Sequence, residues 1–231
     1  MFRRDILVEV GGLDLNCVGE DAELVTRLHR HLREERRDYR LVFLSEPVCW
    51  TEVPPTATVL GRQRRRWSRG LAEVLWKHKG MIGNPRYGII GLIVLPYYLV
   101  FELLGAIVEL LGAVAVVLGL VLGVVDAQFA LLFFFAAVGY GLLLSFGAFA
   151  LEEFSFHRYS RWRDLGAGAA ASIFENVGYR QMHAWWRLRG IVAFVCGGPT
   201  WEAMPRDGFA AVGADALPET TRAGPSGDRD F

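Results

Sequence analysis

The sequence contains little cysteine, and its three cysteines, Cys17, Cys49 and Cys196, stand far apart among 231 residues. None of them lies in a CxxC or Cys/His spacing, so the pattern indicates neither a zinc site nor a redox-active pair. Free, mostly buried thiols are the simpler interpretation, and they suit a reducing compartment.

Charged residues are almost absent between Tyr87 and Leu151 but abundant before that stretch. The chain has 25 basic and 25 acidic residues, and its basic residues crowd the region from Arg3 to Arg86. Hydrophobic residues make up 52% of the chain, which is high for a soluble domain. This distribution predicts a polar, cytosolic part followed by a part embedded in a membrane.

A signal peptide is also missing, because the first residues contain no apolar core. They run directly into a helical pattern that Gly11 and Gly12 terminate. A domain rarely begins so abruptly, so we expect Met1 to be an internal methionine of a longer protein. At the other end, the chain after Phe209 is rich in Gly, Ala, Pro and charge, which predicts a disordered tail.

The sequence of the polar part predicts a second helix and a strand, followed by a boundary at Pro54-Pro55. The helix begins at Glu20, with acidic residues in its first turn as the helix dipole favours. The residues from Tyr39 to Leu44 alternate in polarity and predict a strand, and Val48 to Val53 can form a second extended piece. The apolar residues of the helix share one face: Leu24, Val25, Leu28 and Leu32.

Thr56 to Lys79 predicts a basic amphipathic helix. Such a helix can lie on a membrane surface with its cations toward anionic lipid head groups. A solvated helix of a soluble domain is the alternative, and the strongly apolar sequence downstream favours the membrane surface. The cations are Arg62, Arg64, Arg65, Arg66, Arg69, Lys77 and Lys79.

Two apolar runs follow, from Tyr87 to Val125 and from Gln128 to Leu151. A bilayer core requires about 20 helical residues, and basic residues flank the apolar region on both sides, which places both flanks in the cytosol. We therefore predict two spans, at about Gly105–Val125 and Gln128–Leu151, with Tyr87–Leu104 interfacial or re-entrant.

Two acidic residues, Glu102 and Glu109, fall near the start of the first predicted span and inside it. Intramembrane carboxylates usually face protein or a polar path. Leu165 to Val195 predicts a further helix that is interfacial or packed in the bundle, with a third span as the alternative.

Two short motifs could carry chemistry. Gly19-Glu20-Asp21 stands at a loop-to-helix junction, where a carboxylate can act as a general base or simply cap the helix. Gln63-Arg64-Arg65-Arg66-Trp67 lies in the basic helix. Arg can bind a diphosphate in a bidentate manner, and the face of a Trp ring can hold a sugar ring. Binding of lipid head groups is the alternative, whereas a neutral chain with long apolar runs argues against nucleic acid.

These motifs, in this order and about forty residues apart, precede apolar helices. The arrangement resembles the C-terminal half of processive family-two glycosyltransferases of the cellulose, chitin, hyaluronan and poly-N-acetylglucosamine synthase type. The resemblance covers roughly Phe2 to Phe209. It implies that Asp21, beside Glu20, is the catalytic base of a TED-like motif in which Gly19 replaces the usual Thr. It also implies that the Q(Q/R)xRW-like segment, with Gln63, Arg64, Arg66 and Trp67, binds acceptor sugar and donor diphosphate.

The resemblance implies an α+β remnant of a GT-A-type domain followed by an α-helical transmembrane bundle. The expected parts are residues 1–55 for the end of the catalytic domain, 56–86 for the interfacial helix, 87–151 for the transmembrane region, 152–209 for interfacial or bundle helices, and 210–231 for the tail. The family's DxD motif, which holds Mg²⁺ or Mn²⁺, is missing, since Asp228-Arg229-Asp230 lies in the predicted tail. The metal would thus belong to the full enzyme, with no metal-binding motif in this chain.

The implied activity is inverting transfer of a sugar from a nucleoside-diphosphate sugar to a growing polysaccharide, at the inner or plasma membrane. The implied partners are the donor, a polysaccharide or lipid acceptor, membrane lipids and a separate donor-binding chain, with no nucleic acid. Because the donor-binding half is missing, the chain is expected to be inactive alone. A non-catalytic membrane anchor or assembly subunit, and non-processive transfer to a lipid carrier, remain the alternatives.

Overall fold

The structure, a computed structural model, describes residues 2–42, 51, 53–156 and 162–197. These residues form helices joined by turns, and none of them belongs to a strand. The polar part contains α1 (Arg4–Glu9), α2 (Glu20–Glu34) and α3 (Ala57–Lys77). The remaining α-helices are α4 (Leu95–Tyr97), α5 (Gly105–Val121), α6 (Ala127–Phe156), α7 (Trp162–Phe174) and α8 (Arg180–Val195).

The predicted helix from Glu20 is present as α2, and its predicted apolar face is largely correct. Leu24, Leu28 and Leu32 are buried, while Val25 stays exposed. Three acidic side chains occupy the first turn and basic ones the last turn, in the orientation that the helix dipole favours. The helix thus presents one buried stripe to the rest of the polar part.

The strand predicted from Tyr39 is not formed over Tyr39–Val42, and the rest of that prediction lies outside the described residues. A strand requires a neighbouring strand for its backbone hydrogen bonds, and no described residue supplies one. Tyr39 instead turns to α2, where its hydroxyl lies 2.7 Å from His29 Nδ1. The described residues therefore show no β component of the expected α+β fold.

The predicted amphipathic helix is present as α3, and Thr56 is its N-terminal cap. The Thr56 side chain accepts a hydrogen bond from the Val59 N–H at 3.3 Å, which satisfies one of the free donors of the first turn. A small core forms between the last turn of α3 and the chain that follows it: Leu75, Met81, Tyr87 and Leu95.

The first apolar helix extends from Ile90 to Val121, and the second from Ala127 to Leu151. Both are long and apolar enough to cross a membrane, by length and composition alone. The first begins earlier than the span predicted from Gly105. It passes Pro96 without a break, and π-helical segments at Ile90–Val94 and Tyr98–Leu104 flank this position. At 32 residues it is about 48 Å long.

A tight connection joins the two apolar helices, as the sequence predicts. Asp126 accepts hydrogen bonds on Oδ1 from the N–H groups of Gln128 and Phe129, at 2.9 and 3.1 Å, and so caps the start of α6. Gly123 adopts a φ of 67°, a left-handed conformation that glycine tolerates at a helix end.

The predicted helix Leu165–Val195 is formed as two α-helices, α7 and α8, with π-helical Glu175–Tyr179 between them. α8 packs along α3. Trp186 lies against Gly61, Gly190 against Arg65 and Ser68, and Phe194 against Trp76. Because these contacts ascend in the same order on both helices, α3 and α8 run in the same direction.

Candidate functional site

The Gly19-Glu20-Asp21 turn lies directly against α3. A Cβ atom added to Gly70 would lie only 2.9 Å from the Gly19 nitrogen, so the two backbones touch at this point. The Val18 N–H donates to Glu73 Oε2 at 2.7 Å and ties the same turn to the next turn of α3. The first motif is therefore fixed beside the helix that carries the second.

Glu20 and Asp21 are both exposed in the first turn of α2. The capping interpretation of Asp21 is wrong, because Gly19 occupies the cap position and no side chain caps the helix. The Asp21 carboxylate accepts a hydrogen bond from the Ala22 N–H at 2.7 Å. It has no cationic partner among the ion pairs of the described residues, so it is available to a ligand.

The second motif lies on the middle of α3, one to two turns from Gly70. The guanidinium of Arg64 stacks over the Trp67 ring at 4.6 Å, a cation–π contact that orients both groups. Trp67 is 52% exposed, while Gln63, Arg64 and Arg66 are partly buried. The Nε atom of Arg64 is buried and has no hydrogen-bond partner among the described residues. The segment offers an exposed aromatic face beside a cation.

A buried carboxylate, Glu23, connects α2 to the end of α3. Its side chain is 0% exposed and lies 3.0 Å from Arg27, 2.8 Å from Lys77 and 3.2 Å from His78. A buried charge is tolerated only when it is paired in this way. Glu23 was not among the predicted site residues; its signal in the sequence is an acid next to the apolar stripe of α2, four residues before Arg27.

The partners of Glu23 extend the network into the loop before α2. Arg27 donates to the carbonyl oxygens of Val10 and Gly12 at 2.7 and 2.5 Å. Lys77 also pairs with Asp14 at 2.5 Å. Burial lowers the pKa of Lys77, but its hydrogen bonds with Asp14 and Glu23 outweigh burial and raise it overall. Burial lowers the pKa of His78 in spite of Glu23, so this imidazole favours its neutral form.

Glu9, His31 and Glu35 form a cluster with the geometry of a metal site, but a neighbouring cation makes its charge unfavourable for a metal ion. One ligand atom from each of Glu9, His31 and Glu35 lies within 4.8 Å of the others. The Arg37 guanidinium already binds Glu9 at 2.8 Å and Glu35 at 3.0 Å. A divalent cation there would be repelled by this guanidinium. The residues present therefore do not fit the Mg²⁺ or Mn²⁺ of the family.

The two acidic residues of the first apolar helix pair with arginines of α8. Glu102 lies 3.0 Å from Arg187, and Glu109 lies 2.9 Å from Arg180. Both carboxylates thus contact protein, and the Glu102 side chain stays 45% exposed while that of Glu109 is 27% exposed. Next to the second pair, a cavity of about 1400 Å³ opens between α5, α6 and α8. It is lined mostly by apolar residues, with polar groups from Ser145, Asn176 and His183.

The comparisons with known proteins agree with these motifs. Residues 1–146 match the family described as "Glycosyl transferase family group 2". The poly-beta-1,6-N-acetyl-D-glucosamine synthase of Staphylococcus aureus is 35% identical over 75 residues, which are 32% of this chain and 17% of the relative. A probable glycosyltransferase of Bacillus subtilis, YdaM, is 35% identical over 76 residues, 33% of this chain and 17% of the relative.

The matched segment thus spans about a sixth of the length of these curated relatives. No solved structure matches the chain. The family match covers more than half of the 231 residues and includes both motifs together with the first apolar helix. The chain belongs to glycosyl transferase family group 2.

Proposed function

We propose that this chain supplies the acceptor side of a membrane glycosyltransferase that adds sugars to a growing polysaccharide with inversion. The observation that carries the proposal is the backbone contact between Gly19 and Gly70, which places the Asp21 turn beside the helix bearing Arg64 and Trp67. N-acetylglucosamine is the first sugar to test, because one relative is named as a poly-N-acetylglucosamine synthase.

In this mechanism, the Asp21 carboxylate accepts the proton of the acceptor hydroxyl as that oxygen attacks the anomeric carbon. The bond from the anomeric carbon to the diphosphate breaks in the same displacement, and Glu20 adds negative potential beside the base. Arg64 and Arg66 stabilise the charge that develops on the departing nucleoside diphosphate. Gln63 and Trp67 hold the acceptor ring in line with the donor.

A divalent metal, which would neutralise the leaving diphosphate, belongs in this proposal to a donor-binding region outside these residues. That region is on the same polypeptide or on a separate chain, and the described residues are inactive without it. The two apolar helices cross the bilayer, with the polar part in the cytosol, because basic residues flank them on both sides. The growing polymer leaves between them.

The test is a transfer assay on membranes that contain the protein and its donor-binding region, with labelled uridine-diphosphate N-acetylglucosamine. Asp21→Asn should lower the rate at least about 100-fold, because it removes the base, and donor binding should persist. Asp5→Asn is the matched control, because among the described residues this exposed α1 carboxylate forms its ion pair with the neighbouring Arg3. Loss of donor binding in Asp21→Asn would contradict the role of the base.

The products separate the remaining alternatives. Long polymer supports processive synthesis, whereas a single sugar on a lipid indicates transfer to a lipid carrier. If the protein together with its donor-binding region transfers no sugar, the chain is a membrane anchor or assembly subunit.

A further inference from the structure

α8 lies between the helix that carries the second motif and the first apolar helix. It falls outside residues 1–146, which match the family. We propose that α8 fixes the position of the Gln63–Trp67 segment relative to the first apolar helix, with Arg187 as the main positioning residue. The catalytic consequence rests on the proposed function, whereas the structural connection does not.

On the α3 side, the contact is made through small residues. A Cβ added to Gly190 would lie 2.4 Å from the Arg65 carbonyl oxygen and 2.9 Å from the Ser68 Cβ, so only glycine permits this approach. The Ser68 hydroxyl donates to the Arg187 carbonyl oxygen at 2.9 Å. Ser68 directly follows Trp67, so this hydrogen bond attaches the backbone of α8 to α3 at the end of the Gln63–Trp67 segment.

On the other side, the same residue reaches the first apolar helix. The Arg187 guanidinium pairs with Glu102 at 3.0 Å, and the side chains of Arg187 and Glu102 are 17% and 45% exposed. A pair that is partly withdrawn from water is screened less than a surface pair. Arg187 therefore joins the two elements with a single residue, through its carbonyl group to α3 and through its side chain to Glu102.

The second ion pair of α8 provides a matched control. Arg180 pairs with Glu109 at 2.9 Å and also connects α8 to the first apolar helix. It lies seven residues, about two helical turns, before Arg187, and among the described residues its side chain forms no ion pair with α3. Breaking this pair removes a connection of the same chemistry without touching the motif.

The test is hydrogen–deuterium exchange on the full chain in lipid nanodiscs, read on peptides that cover residues 62–70. Arg187→Glu should raise exchange there about threefold to tenfold, the scale of a coupling between residues in contact. The double variant Arg187→Glu with Glu102→Arg should restore protection, because it re-forms the pair with reversed charges. Arg180→Glu should leave these peptides within about twofold of the native rate.

Unchanged exchange in Arg187→Glu, an equal effect of Arg180→Glu, or failure of the double variant to recover would each overturn the proposal. If Arg187→Glu unfolds the protein entirely, the double variant still decides. Where transferase activity is measurable, Arg187→Glu should lower kcat more than it raises the KM for the donor, with recovery in the double variant. Absence of transfer by the native protein in the presence of its donor-binding region would refute the proposed function while leaving the exchange result valid.

Discussion

The polar half of the molecule (residues 2–42 and 53–87) and the two apolar helices differ in where their apolar side chains lie. In the polar half, leucines such as Leu24 and Leu28 are buried and charged groups surround them. In the most apolar window of each long helix, only 6% of the residues are buried. Leu132 and Phe133 point outward, and the connections to other helices include ion pairs and a hydrogen bond from Asn176 to Ser145.

The difference reflects the solvent for which each part is suited. In water, burial of apolar surface is the main favourable term, so the apolar residues turn inward. In a bilayer, lipid chains are as apolar as leucine, and helices associate through close packing and polar contacts instead. The outward leucines and inward carboxylates of the long helices fit the second case, in line with the proposed membrane location.

Leucine truncation should separate the two halves most clearly. Leu28→Ala removes a side chain that is 4% exposed and should lower the free energy of unfolding by about 3 kcal/mol, because it leaves a cavity. Leu132→Ala removes one that is 69% exposed and should change it by less than about 0.5 kcal/mol. Guanidinium titration in detergent micelles, followed by tryptophan fluorescence, measures both. Equal losses would show that the second helix is packed against protein.

Removing the buried charge of the polar half should have the next largest effect. Glu23→Gln leaves Arg27 and Lys77 without their buried counter-charge and should lower the free energy of unfolding by about 2 kcal/mol. The loss is moderated because Lys77 is 42% exposed and keeps Asp14. The control is Glu34→Gln, which removes the charge that pairs with Arg30 on the same helix but keeps an oxygen that can accept the hydrogen bond of the Tyr87 hydroxyl. A smaller loss for Glu23→Gln than for Glu34→Gln would contradict the role of the network.

The polar half should also respond to mild acid, as the smallest of these effects. Burial lowers the pKa of His78 below 6.5, so the unfolded chain binds this proton at higher pH than the folded one. Stability should therefore be complete above pH 6.5 and fall as the pH drops below it. Thermal unfolding between pH 5.5 and 7.5 measures this slope. His78→Gln should flatten it, and an unchanged slope would assign the effect to His29 or His183, whose pKa values burial also lowers.

The helices of this molecule could be predicted from local patterns, because each pattern is set by neighbouring residues. The stripe of α2 and the two long apolar runs each have a period or a length that a single segment displays. The continuity through Pro96 could not be predicted in the same way, since it depends on a π-helical hydrogen-bond pattern on both sides of this residue. The prediction of a strand was wrong over Tyr39–Val42, because a strand forms only when a second segment supplies its backbone hydrogen bonds.

The site was predictable only in part, for a similar reason. The order of the two motifs identifies the candidate residues, but their distance in space depends on Gly70, which neither motif includes. Glu23 escaped detection because its three partners come from α2 and from the far end of α3, up to 55 positions away. The pairing of Glu102 with Arg187 spans a still longer separation. The roles of Asp21, Glu20, Gln63, Arg64, Arg66 and Trp67 stay predictions until the transfer assay is made.

Because the backbones of Gly19 and Gly70 touch, the residue at either position limits which residues the other position can carry. The resemblance to a TED-like motif implies threonine at the position of Gly19, and a Cβ there would meet the Gly70 backbone at 3.3 Å. Such a contact is tighter than van der Waals packing prefers, so α3 must retreat by a few tenths of an ångström before threonine fits. Position 19 should therefore covary with the region around position 70. In a mutational library, Gly19→Thr should succeed only alongside compensating changes in α3.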